Sequence, residues 1–132
     1  MNRTLSLIAA AALSLPFVNG CIVSDSDPVY YGTGTLVVDW SIDLAQQPVL
    51  CDQSGAYDIT IQLTGPSGGT FTQDCAAFAT SIPLSPGNYS GSAFLSDARG
   101  QKRTTAVSLG SFAVYSGDAF TIPIDFPSYS FY

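Results

Sequence analysis

The stretch Gly34-Thr35-Leu36-Val37-Val38-Asp39-Trp40-Ser41-Ile42 alternates between two faces along its whole length. Its apolar face carries Leu36, Val38, Trp40 and Ile42, and its other face carries Thr35, Val37, Asp39 and Ser41. A period of two residues is typical of a β-strand with one buried face. We therefore predict a strand over Gly34–Ile42 in which Trp40 is a buried anchor of the sheet. The alternative is an exposed Trp40 that serves as a platform for sugars.

Shorter stretches with the same alternation follow along the rest of the chain. They cover residues 56–64, 70–73, 78–84, 90–95, 103–109, 112–115 and 120–126. We expect Tyr57 to face inward in the first of them, and Thr105, Val107 and Leu109 to face inward in the fifth. Pro123 removes a backbone donor, which predicts an edge or bulged position for the last strand. Turn residues separate these stretches, so the pattern predicts an all-β, immunoglobulin-like or prealbumin-like sandwich of seven or eight antiparallel strands over residues 34–127.

The charge of the chain restricts its partners. The net charge is −6, and all ten acidic residues are Asp. Nucleic-acid binding requires clustered basic side chains, so we expect no nucleic-acid partner. The only basic cluster is Arg99, Lys102 and Arg103, which we interpret as a solvated turn. The absence of Glu also removes a good helix former and supports the all-β prediction.

The absence of His is the strongest negative evidence on catalysis. It excludes Ser-His-Asp and Cys-His mechanisms and the ordinary zinc hydrolases. A pair of Asp carboxylates could still serve a glycosidase. The candidates fall on polar strand faces or in loops, without apolar neighbours that would raise a pKa; they are Asp39, Asp58, Asp125, Asp43, Asp52, Asp74, Asp97 and Asp118. We therefore predict a protein that is not an enzyme and that uses no metal or cofactor.

Residues 1–20 have the layout of a secretory signal peptide. Arg3 is followed by a 14-residue apolar run over residues 5–18, which is shorter than the roughly 20 residues of a membrane-spanning helix. Val18-Asn19-Gly20-Cys21 resembles the lipobox of bacterial lipoproteins. The resemblance implies cleavage before Cys21, attachment of a diacylglycerol and acylation of the new amino terminus. It also implies that Ile22, where an Asp would favour the inner membrane, favours the outer membrane. Residues 21–33 sustain neither helical nor strand periodicity, so we predict that they form a short tether.

Cys51 and Cys75 remain as a pair once Cys21 is assigned to the lipid. Disulfides form and persist in exported proteins, so we predict that these two cysteines are bonded. The alternative is a metal site or a reactive thiol. Without His or a third free Cys, the usual ligands cannot complete a structural zinc site.

Leu84-Ser85-Pro86-Gly87-Asn88-Tyr89 resembles the Pro-Gly-x-Tyr turn of prealbumin-like and carboxypeptidase-regulatory-like β-sandwiches and of their immunoglobulin-like cousins. Tyr89 is also similar to the tyrosine corner of Greek-key sandwiches, whose ring packs inside while its hydroxyl bonds to the backbone. The whole chain resembles small proteobacterial lipoproteins. These resemblances imply a fold and an export route, and they imply no activity.

Three functions are compatible with the sequence. The first is a lipid-anchored cell-envelope protein, held on the membrane by acyl chains on Cys21, that serves as a non-enzymatic binding or structural module for a protein or glycan. The second is a small inhibitor or accessory protein that docks on a secreted hydrolase through its loops or tail. The third is an Asp-dependent glycosidase. The aromatic tail at residues 128–132 is expected to pack over an open end of the sandwich.

Overall fold

Seven strands make up most of the chain that our computed structural model describes, residues 32–132. They are β1 (Gly34–Ile42), β2 (Asp58–Thr64), β3 (Gly69–Asp74), β4 (Ala79–Leu84), β5 (Gly87–Ser96), β6 (Val107–Val114) and β7 (Ala119–Phe126). A short helix, α1 (Pro48–Ser54), and 3-10 turns at Cys75–Ala77 and Ser128–Ser130 complete the secondary structure of this part. The all-β prediction is confirmed. The predicted leader, Cys21 and residues 22–31 of the tether lie outside the described residues.

The strands form two sheets, with the orders β4-β1-β7 and β3-β2-β5-β6. All the pairs are antiparallel except β1 and β7, which run parallel with Ile42 opposite Phe126. The prediction of uniformly antiparallel strands is wrong at this pair. Alternation along a strand reports which face is buried and carries no information about the direction of a neighbour. Pro123 lies on β7, an edge strand, as predicted.

β1 contributes the centre of the core. The apolar side chains predicted to share one face are all buried, and Trp40 is fully enclosed. Its indole Nε1–H donates a hydrogen bond of 2.9 Å to the carbonyl oxygen of Cys75. Because a buried indole N–H needs a partner, this bond is what allows the largest side chain of the core to be fully enclosed. The prediction of Trp40 as a buried anchor is confirmed.

β6 joins two stretches that were predicted as separate strands. Gly91 pairs with Gly110 while Ser92 pairs with Ser108, so Leu109 is an extra residue and the pair contains a β-bulge. Gly110 has a φ of 75°, which favours glycine. The bulge changes the inward positions from odd to even numbers, and the strand count becomes seven.

Two inward assignments near the strand ends are wrong. Thr105 is exposed, whereas its neighbour Thr104 is fully buried and its hydroxyl accepts the Leu95 N–H at 3.0 Å. Tyr57 is 59% exposed because β2 begins only at Asp58. Both residues precede the strand to which the alternating pattern assigned them, since β2 begins at Asp58 and β6 begins at Val107.

The connection predicted over residues 43–55 contains α1. Pro48 stands in its first turn, and Gly55 ends it in a left-handed conformation with a φ of 74°. Cys51 on this helix forms a disulfide with Cys75, so the bridge ties α1 to the 3-10 turn between β3 and β4. The predicted pairing is confirmed.

The sandwich has two ends that differ in structure. The described chain enters β1 at Gly34, beside Tyr115 and Asp118, and we call this the entry end. β1 and β7 both finish at the opposite end, which also carries α1, the disulfide and the tail. We call it the helix end.

Candidate functional site

Large hydrophobic side chains are exposed mainly at the helix end. Within residues 32–132 this group at the helix end comprises Leu44, Val49, Tyr57, Tyr129 and Tyr132, whereas Tyr115 is the one at the entry end. Leu44 is 85% exposed and Tyr129 is 89% exposed. Exposed apolar side chains gathered on one surface mark interaction sites more often than scattered ones do.

Leu44 projects from a tight turn that follows β1. Ile42 and Ala45 exchange two backbone hydrogen bonds, of 2.9 and 3.0 Å, around Asp43 and Leu44. Both central residues have positive φ values, 50° for Asp43 and 64° for Leu44. Such values suit a hairpin-type turn but cost a bulky L-residue about 1 kcal/mol or more. The structure therefore holds an exposed leucine in a strained backbone conformation.

Two carboxylates hold this turn in place. Asp125 Oδ1 accepts the Leu44 N–H at 2.8 Å and the Ser41 hydroxyl at 2.7 Å. Asp43 Oδ1 accepts the Ser128 N–H at 2.7 Å and so joins the turn to the tail. Asp43 is exposed and Asp125 is partly buried. Both satisfy backbone donors and position the surface around Leu44.

The tail packs across the helix end, as predicted. Thr105 N–H donates to the Ser130 carbonyl at 2.9 Å, and Tyr132 N–H donates to the Arg103 carbonyl at 3.0 Å. Phe131 is partly buried against the core. The rings of Tyr129 and Tyr132 stay exposed on this fixed backbone.

The basic cluster at residues 99–103 is not a simple solvated turn. The Arg103 guanidinium donates to the Ser54 carbonyl from Nε at 3.2 Å and from Nη2 at 3.0 Å. It thereby binds an orphan carbonyl at the carboxyl end of α1, where a cation is favourable. Lys102 Nζ lies 4.9 Å from the centre of the Phe94 ring.

A groove of about 250 Å³ lies between α1 and the tail. Its lining combines apolar side chains with polar groups; these residues are Ile42, Asp43, Leu50, Gln53, Ser54, Ser128 and Phe131. The volume is below the roughly 300–1,000 Å³ of sites for drug-sized ligands. The groove therefore suits one inserted side chain or one sugar ring.

A larger cleft of about 540 Å³ lies near the entry end, beside the stacked rings of Tyr89 and Phe112. No Asp, Lys or Arg lines it. We therefore place the candidate site at the helix end, where a charged group and exposed apolar side chains occur together.

Asp58 and Asp74 are directly opposite each other in the β2–β3 register. Burial raises the pKa of Asp58 above its usual value, and the charge of Asp74 raises it further. The two residues stand side by side on one sheet instead of facing each other across a cleft, as a glycosidase pair would. Among residues 32–132, no group of three or more Asp or Cys residues could hold a metal ion.

Comparisons with known proteins include a distant similarity to a solved structure. No protein-family model and no curated protein matches the chain. A solved leucine-rich repeat protein from Bacteroides thetaiotaomicron VPI-5482 is similar at 17% identity and a TM-score of 0.42. The similarity covers 74% of this chain and 12% of that one. In the part of the chain described, no helix is long and apolar enough to cross a membrane.

Proposed function

We propose that this chain is a lipid-anchored protein of the cell envelope whose sandwich domain is a non-enzymatic binding module. The observation that carries the proposal is the concentration of exposed hydrophobic side chains at the helix end, opposite the point where the chain enters the domain. An acyl anchor on Cys21 would join the domain at its entry end through residues 21–33. The helix end is at the other end of the domain from the point where β1 begins, and we propose that it meets a partner at the outer membrane.

The helix end offers two kinds of contact. Leu44 and Val49 supply apolar surface, while Tyr129 and Tyr132 combine rings with hydroxyl groups, as protein and glycan sites both require. The backbone beneath them is fixed by the disulfide and by the hydrogen bonds of Asp43 and Asp125. A prearranged surface loses little conformational entropy on binding.

A second candidate, an inhibitor or accessory protein that docks on a secreted hydrolase, is favoured by the turn that bears Leu44. Four hydrogen bonds fix this turn: two between Ile42 and Ala45, one from Asp43 to Phe126 and one from Leu44 to Asp125. A protruding apolar side chain on a rigid turn is suited to a pocket on another protein. The partner that is captured decides between the two candidates.

The lipid anchor is tested by labelling cells with a palmitate analogue. We expect label on the full chain and none on the Cys21→Ala variant. Equal labelling of both, or no labelling of either, would refute the anchor.

The binding surface is tested by cross-linking the full chain to its partners in cells. Leu44→Gly removes the side chain and fits the positive φ, Tyr129→Ala removes an exposed ring, and Tyr115→Ala is the matched control at the entry end. We expect the first two variants to reduce capture by about tenfold and the control to leave it unchanged. One stoichiometric hydrolase would favour the second candidate, and a glycan would favour the first. Equal capture by all the variants would contradict a site at the helix end.

A further inference from the structure

Four strands lie at sheet edges, and three of them carry features that prevent further pairing. β4 contains Pro83, β7 contains Pro123, and β6 contains the bulge at Gly110. The fourth edge strand is β3, with the sequence Gly-Thr-Phe-Thr-Gln-Asp. It has no Pro, Lys or bulge, and all of its residues except Phe71 are exposed. β3 is thus the open edge of the described sandwich.

The free backbone groups of β3 can be assigned from its neighbours. Cys75 N–H donates to the Tyr57 carbonyl at 3.0 Å, so the odd-numbered positions of β3 direct their backbone groups toward β2. Alternation then directs the N–H and C=O groups of Thr70, Thr72 and Asp74 away from the sheet. The Asp74 N–H is already bonded to Gln73 Oε1 at 3.0 Å. The open stretch is therefore residues 70–72.

We propose that β3 pairs with β3 of a second copy of this chain, antiparallel about a two-fold axis at Phe71. Two residues that lie opposite each other in an antiparallel pair direct their backbone groups either both toward the partner strand or both away from it. An axis between two neighbouring residues would place an inward-directed residue opposite an outward-directed one, so the axis must pass through a residue. At Phe71, Thr70 of each copy meets Thr72 of the other and the two pairs exchange four backbone hydrogen bonds. An axis at Thr72 would require the Asp74 N–H, which is occupied.

Charge and packing favour a second copy as the occupant. In this register Asp74 lies beyond the paired stretch and opposite Gly68, so no carboxylate meets another despite the net charge of −6. The two Phe71 side chains form the non-hydrogen-bonded pair, where side chains approach most closely. Phe71 is packed against the core but only partly buried, and its counterpart would cover it. This pairing does not depend on the lipid anchor or on the helix end.

The experiment measures dimerisation of the full chain, purified in detergent, across a range of concentrations. Sedimentation reports the fraction of dimer, and amide hydrogen exchange reports the Thr70 and Thr72 N–H groups. We expect both amides to exchange more slowly as the dimer forms. Thr72→Pro removes an outward donor without breaking the β2–β3 ladder and should weaken dimerisation by about tenfold or more.

Ser81→Pro is the matched control. The Trp40 N–H bonds to the Phe78 carbonyl, which places the Ser81 N–H on the outer side of β4, an edge that Pro83 already blocks. We expect no change in dimerisation. If Thr72→Pro fails to fold, Thr72→Lys replaces it, because an edge lysine blocks pairing and leaves the backbone intact.

Three outcomes would overturn the proposal. The first is a monomer at every soluble concentration with fast exchange at Thr70 and Thr72. The second is a dimer that neither Thr72 variant weakens. The third is a dimer that Ser81→Pro weakens as much as Thr72→Pro does.

Discussion

Replacing Tyr89 by Phe removes one hydroxyl group from a well-defined network. The Tyr89 hydroxyl donates to the Ser85 carbonyl at 2.7 Å and accepts the Ser67 N–H at 3.1 Å. It also lies 2.8 Å from the Ser67 hydroxyl, which accepts the Ser85 N–H at 2.9 Å. The ring is buried and stacks on Phe112, with 5.8 Å between the ring centres, and Phe preserves this contact. The predicted tyrosine corner thus joins the turn after β2 to the turn before β5.

The expected loss follows from these contacts. Each hydrogen bond contributes about 0.5–1.5 kcal/mol net, and three involve the hydroxyl of Tyr89. The site is only partly buried, so water can replace some of the partners. We expect Tyr89→Phe to lower the free energy of unfolding by about 2 kcal/mol. For a domain of this size that corresponds to a fall in Tm of about 10 °C.

Urea unfolding followed by Trp40 fluorescence measures this loss, because Trp40 is the only Trp and is fully buried. Tyr115→Phe is the control, since Tyr115 is 64% exposed. A double-mutant cycle with Ser67→Ala should give a coupling of about 1 kcal/mol between Ser67 and Tyr89. If the Tyr89 and Tyr115 variants agree within about 0.3 kcal/mol, the network does not stabilise the fold.

Three further predictions concern the disulfide, a carboxylate and the bulge. Cys51 and Cys75 are separated by 24 positions, so reduction should lower the free energy of unfolding by about 3.5 kcal/mol, measured by urea titration with and without reductant; no change would contradict the bridge. The pKa of Asp58 is raised in the folded state, so the folded state binds this proton before the unfolded state does as pH falls. Ionised Asp58 therefore lowers the free energy of unfolding at neutral pH. This loss of stability diminishes as pH falls through the raised pKa and is gone below the ordinary pKa of the unfolded chain. Asp58→Asn should therefore raise Tm at pH about 7 and have no effect near pH 3, and thermal melts at both pH values would expose the opposite trend. Gly110→Ala should lower the free energy of unfolding by about 1 kcal/mol in urea titrations, because Gly110 has a φ of 75° that an L-residue adopts poorly. An added Cβ would meet no atom within 4 Å, so the loss would come from the backbone alone. An unchanged free energy of unfolding would show that the bulge relaxes.

Local patterns predicted those parts of the fold that depend on one strand and its burial. The alternation in β1 was sufficient to place Trp40 in the core, because solvent exclusion acts on one face of a strand at a time. Cys51 and Cys75 could be paired because they remain when Cys21 is assigned to the lipid, and because the leader predicts export to a compartment where disulfides form. Tyr89 was identified by its turn, and its hydroxyl bonds to the backbone as the resemblance implied.

Other features depend on partners distant in the sequence and were not predictable. α1 is too short to show helical periodicity, and its carboxyl end is completed by Arg103 from a distant loop. The bulge at Gly110 exists only in relation to β5, so the sequence pattern showed a broken strand. The hydrogen bonds of Asp43 and Asp125 were not predictable, because the backbone donors that they satisfy belong to other segments.

The candidate site at the helix end arises from the one strand pairing that was predicted wrongly. Because β1 and β7 run parallel, Ile42 lies opposite Phe126 and the two strands finish together. The turn that bears Leu44 and the tail that bears Tyr129 therefore emerge side by side, and the bond from Ser128 to Asp43 joins them. Had β7 been antiparallel to β1, the tail would have left the sandwich at the entry end. Leu44 and Tyr129, which are 85 positions apart in the sequence, would then not have shared a surface.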